Sequence, residues 1–130
     1  MRRLARATLV AVLAFGLVAC DAYTIGPVPT IELRTSEPLG PGSPQACMAA
    51  LLTGVLVREE RSGIGIVSED GTRWAVIWPP GFVGVTGDPA FVTNENGQRI
   101  AKVGDHVTLG GGEVAPETWQ TCGELTVIAP

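Results

Sequence analysis

Few residues in this chain are of a type that does chemistry, and they are scattered. The 130 residues hold three cysteines, Cys20, Cys47 and Cys122, and one histidine, His106. A general base needs a nucleophile or a substrate within hydrogen-bond reach. His106 follows Gly104-Asp105 at the expected start of a strand, and no serine sits in a G-x-S-x-G elbow. It reads as a strand-edge residue without a chemical role. The carboxylate pairs Glu59-Glu60 and Glu69-Asp70 fall at expected turns and read as solvated loop charge. The alternating acidic pattern of a calcium loop is absent. Gly110-Gly111-Gly112 lacks the Lys-Ser/Thr of a phosphate loop, and Gly63-x-Gly65 lacks the strand-to-helix setting of a dinucleotide site. No catalytic centre, cofactor or metal is expected, and the chain is not expected to be an enzyme.

One aromatic segment stands out as a candidate for binding. Trp74, Val76 and Trp78 share one face of an expected strand by period-two alternation. If that face points inward, the tryptophans are core. The segment Trp78-Pro79-Pro80-Gly81-Phe82 allows another reading. Rigid prolines beside aromatics at a strand end make an apolar platform that costs little entropy to order. Exposed, Trp78, Pro79, Pro80 and Phe82 form a candidate surface for a protein partner, a peptide or a sugar ring.

The start of the chain reads as an address. Arg2, Arg3 and Arg6 precede an apolar run over 7–18, followed by Leu17-Val18-Ala19-Cys20. A charged start, a short apolar core and a small residue before a cut site describe a secretory signal. Its core of about 12 residues is shorter than the roughly 20 that span a bilayer. Leu17-Val18-Ala19-Cys20 resembles the lipobox of bacterial lipoproteins. The resemblance implies cleavage of a signal peptide over 1–19, diacylglyceryl attachment to the Cys20 sulfur, and a mature chain anchored by lipid to the outer side of the cell membrane. Two acyl chains hold a soluble domain at a membrane far better than one.

Cleavage there removes three of the nine basic residues and leaves six against 13 acidic ones, a net charge of −7. An acidic domain outside the cytoplasm has neither the charge nor the address for nucleic acid. Cys47 and Cys122 remain in an oxidising compartment. An even pair in a small secreted domain reads most simply as a disulfide. The competing readings, a catalytic thiol or a metal ligand, lack a partner, since there is no CxxC and His106 stands alone.

The elements that must position these residues read as strands. Apolar residues make up 45% of the chain, too many for disorder, while 17 glycines and 10 prolines exclude a helical bundle. Residues 20–45 carry five prolines and three glycines and read as a tether. Within it, Ile31 and Leu33 alternate in an island over 28–34 that reads as a docked edge strand. Strands are expected over 51–58, 64–68, 72–78, 90–93, 98–101, 106–109 and 124–129. Asn94-Glu95-Asn96-Gly97 reads as a hairpin turn and Gly110-Gly111-Gly112 as a strand stop. Residues 46–130 are thus expected to fold as one all-β domain, a small barrel or sandwich of five to seven short strands. The layout resembles a small barrel of the OB-fold type. The expected function is binding or support of an envelope assembly without catalysis. A module holding a glycan or a cation is the alternative. The expected partners are the membrane, through the anchor, and an envelope protein or glycan.

Overall fold

The computed structural model describes residues 28–37 and 47–129. The proposed signal segment, Cys20 and much of the proposed tether lie outside the described residues. The described residues form nine strands: β1 (Thr30–Ile31), β2 (Ala50–Glu59), β3 (Gly63–Ser68), β4 (Arg73–Ile77), β5 (Val83–Val85), β6 (Phe91–Thr93), β7 (Arg99–Lys102), β8 (His106–Ala115) and β9 (Thr118–Val127). The fold is all-β, as the alternating β-branched and apolar runs predict.

Five strands close into a barrel in the order β2-β3-β4-β9-β8, with β8 pairing back onto β2. β2, β3 and β4 form a meander. The chain then leaves the barrel and returns as β8 beside β2, antiparallel to it. Three consecutive strands followed by a fourth that returns beside the first make a Greek key. β9 fills the last gap, antiparallel to β8 and parallel to β4. A closed barrel leaves no edge strand for another chain to pair with. The long connection between β4 and β8 carries a second sheet of order β1-β5-β6-β7.

Alternation sets the core. Leu52 and Leu56 on β2, Ile64 and Ile66 on β3, Val76 on β4, and Val107 and Leu109 on β8 are buried inside the barrel wall. They merge into one cluster with Ile31, Leu33, Phe82, Val92 and Ala101 around the second sheet. Each such side chain contributes about 1.5–3 kcal/mol on burial.

The structure departs from the sequence-based expectations at several places. The 28–34 island, by contrast, docks as the edge strand expected of it, β1 pairing Thr30 with Val85 and Ile31 with Gly84. Beyond it, the Arg34 N–H donates to the Ser62 carbonyl (3.1 Å) and the Trp78 N–H to the Arg34 carbonyl (2.8 Å). The described stretch 28–37 therefore packs on the fold, so the packed unit begins before residue 46. β5 was not expected, because it is three residues long among prolines and glycines. Gly110-Gly111-Gly112 does not stop β8, which runs on to Ala115 through a register shift between Leu109 and Gly111. These glycines serve close approach. A Cβ on Gly111, at φ +151°, would fall on the Gln120 carbonyl, and one on Gly112 would fall on the Met48 side chain. β9 consequently starts at Thr118, six residues before its expected start, to pair with the extended β8.

Cys47 and Cys122 form a disulfide with Cα atoms 5.8 Å apart across 75 residues of sequence. It ties the chain ahead of β2 to the middle of β9. The chain-entropy model gives roughly 4 kcal/mol for a loop of that length.

Candidate ligand groove

The aromatic segment 78–82 is core and not a surface platform. Trp78 is 1% exposed and its indole N–H donates to the Ile64 carbonyl at 2.9 Å. Phe82 is 8% exposed and stacks on Trp78 with ring centroids 6.2 Å apart. The physical reason is local. Trp78 follows the inward parity of Val76, and Pro79-Pro80 turns the chain so that the Phe82 N–H meets the Pro79 carbonyl and its ring folds back. Pro79 and Pro80 are half-buried. Trp119 is also buried and meets the half-buried Trp74 edge-on at 6.0 Å. Trp78, Pro79, Pro80 and Phe82 therefore do not form an exposed aromatic surface.

His106 is exposed and opens β8 opposite Val55. Among the described residues, no group of three or more His, Cys, Asp and Glu side chains converges to hold a metal ion.

Glu59 overturns its reading as solvated loop charge. It is 5% exposed. Its Oε1 accepts from Arg61 Nε at 2.9 Å, and its Oε2 accepts from both the Ser62 N–H and the Ser62 hydroxyl at 2.8 Å. Burial by itself raises the pKa of this carboxyl. The hydrogen bonds from Ser62 and Arg61 and the charge of Arg61 outweigh it, so Glu59 stays below its ordinary value and ionised.

This network fixes the 60–62 turn between β2 and β3 and aims Arg61 across the barrel mouth. Arg61 Nη2 donates to the Arg73 carbonyl on β4 at 3.1 Å and to the Glu117 carbonyl at 3.3 Å. Glu117 sits in the 116–117 turn between β8 and β9 at φ +51°, left-handed backbone that costs a non-glycine residue roughly 1–2 kcal/mol. That conformation directs its carbonyl at Arg61 and at the Ala75 N–H, 2.9 Å away. Arg73 Nη1 in turn donates to the Arg58 carbonyl at 3.0 Å.

An open groove runs along this mouth. One hollow of about 660 Å³ is lined by Arg58, Glu59, Glu60, Arg61 and Arg73. A second of about 660 Å³ adjoins it through Arg58–Arg61 and continues along Thr30–Arg34. The docked 28–37 segment thus supplies one wall. Alternation could not reveal this site, because its arginines come from three separate stretches of sequence. The one local signal was Arg61-Ser62 directly after Glu59-Glu60. It places a cation and two donors within reach of a strand-end carboxylate.

Comparison with known proteins finds no matching family model, and no match among the curated proteins or the solved structures.

Proposed function

We propose that this chain is a lipid-anchored, extracytoplasmic binding module that acts without covalent chemistry and engages its ligand at the barrel-mouth groove. The observation carrying this is the groove itself: an open, polar hollow whose walls are held by the Glu59–Arg61–Ser62 network and by the β8–β9 turn. The address rests on the Arg-rich start, the apolar run and Leu17-Val18-Ala19-Cys20.

The Greek-key order supports the choice of surface. It resembles the OB-type barrel, which binds oligonucleotides and oligosaccharides with its second and third strands and with the turns joining strands one to two and four to five. Counted within this barrel, those are β3, β4 and the turns 60–62 and 116–117. Arg61 and Arg73 lie there. The address outside the cytoplasm, carried by the start of the chain, favours an envelope glycan over nucleic acid.

A second reading, docking of an envelope protein, draws on the outer face of the barrel wall. Leu51 is 71% exposed there, and Val55 and Ile128 are exposed as well.

Two experiments test the proposal. Metabolic labelling with palmitate should mark the chain, and Cys20→Ser should abolish the label and release the protein from membranes. A labelled Cys20→Ser chain would contradict the anchor. Co-sedimentation with protein-free cell-wall glycan should retain the unlipidated chain, and the double variant Arg58→Gln/Arg73→Gln should lose retention. Retention lost instead on Leu51→Ser/Val55→Ser would move the glycan site to the outer face of the barrel, and no retention at all would sink the glycan reading and favour protein docking.

A further inference from the structure

The class of ligand follows from which charges in the groove are already used. Glu59 and Arg61 satisfy each other. Among the described residues, no carboxylate lies within ion-pair distance of Arg34, Arg58 or Arg73. Four of the six basic residues beyond Cys20 thus gather at one end of the barrel in a chain with 13 acidic residues, and three of the four have no anionic partner among the described residues. A guanidinium is a planar fork of donors that matches a carboxylate or a phosphate in bidentate fashion.

The groove is not uniformly basic. Glu60 and Glu32 line the same walls. Their charge weakens the attraction of the groove for any polyanion, polyuronate and nucleic acid alike. Their oxygens accept hydrogen bonds, which suits hydroxyl groups. Among the described residues, no aromatic side chain lines the groove, so recognition by those residues does not rely on ring stacking. A ligand carrying carboxylates spaced between hydroxyls fits this mixture. The volume falls in the range of about 300–1,000 Å³ found for small-ligand sites.

We infer that the mouth groove takes an acidic oligosaccharide of the uronic-acid type. Arg58 and Arg73 bind its carboxylates, Glu60 accepts from its hydroxyls, and Arg34 extends the contact from the docked N-terminal segment. This inference rests on the groove being the binding site, as proposed above.

The test is calorimetric titration of the chain from residue 20 onward, carrying Cys20→Ser, with oligogalacturonate and with its methyl ester. The acid should bind saturably and the ester at least tenfold more weakly. Arg58→Gln and Arg73→Gln should each weaken the acid at least tenfold, while Arg99→Gln, on the second sheet, should leave it unchanged. Equal binding of acid and ester at the groove would overturn the acidic class and leave the groove as a glycan site. Binding of neither would overturn both. Single-stranded RNA binding as tightly as the acid at the same salt would also overturn the inference, because the groove would then be a general polyanion site.

Discussion

Arg61 and Glu117, 56 residues apart in sequence, meet across the mouth of the barrel, where Arg61 Nη2 donates to the Glu117 carbonyl at 3.3 Å. The contact joins the turn after β2 to the turn after β8. Arg61 can make it because Glu59 holds its Nε from below. The mouth is therefore a fixed surface: one buried carboxylate orders a turn, the turn aims a guanidinium, and the guanidinium spans two loops. A ligand that meets such a surface loses little affinity to ordering the protein.

Glu59 should give the mouth a measurable acid lability. Its folded pKa lies below the ordinary value of 4.5. Its contribution is then complete above about 4.5 and is lost as pH falls through the lower, folded value. Glu59→Gln should cost about 1–3 kcal/mol at pH 7 by leaving Ser62 and Arg61 poorly paired. Urea denaturation at pH 7 and pH 3 should show the gap between wild type and variant closing in acid. A gap of constant size would contradict the network.

Gly63 should be irreplaceable. It sits at φ +80°, and an added Cβ would fall on the Glu32 carbonyl. Gly63→Ala should therefore push away the 28–37 segment that walls the groove. We expect a loss of about 2 kcal/mol or more from backbone strain and overpacking together. Faster amide exchange at Arg34, whose N–H bonds to Ser62, should accompany it. Unchanged exchange at Arg34 would show that the segment does not depend on Gly63.

Trp78 should behave as core. In chains that retain Trp78 alone, its fluorescence should resist iodide, and Trp78→Ala should cost about 3–5 kcal/mol. Quenching like that of free tryptophan would restore the exposed platform.

The disulfide should carry a large share of the stability of so small a fold. Cys47→Ala/Cys122→Ala should lower the unfolding free energy by roughly 4 kcal/mol, measured in urea. A loss under about 1 kcal/mol would mean that the unfolded chain gains little freedom from the 75-residue loop.

Much of the fold was legible because strand signals are local. The runs around Leu56, Ile64, Val76 and Val107 alternate and are β-branched or apolar, and each became a barrel strand. The β4–β9 parallel pairing and the barrel closure were not legible, since both depend on contacts between distant segments. Gly110-Gly111-Gly112 misled because glycine marks both strand ends and sites of close approach, and only the Met48 and Gln120 neighbours decide between them. Trp78 could have faced either way until its indole N–H found Ile64. Glu59 was misread because strand parity slips at the end of β2, where both Leu56 and Glu59 are buried. The groove itself required Arg34, Arg58 and Arg73 to converge from three strands and loops, which no local pattern encodes.

The most direct test of the central claim is amide chemical-shift mapping of the unlipidated chain titrated with an acidic oligosaccharide. Saturable shifts are expected, confined to Thr30–Arg34, Arg58–Gly63, Arg73 and the 116–117 turn. Shifts centred instead on Leu51, Val55 and Ile128, or no shifts at all, would contradict a ligand site at the barrel mouth.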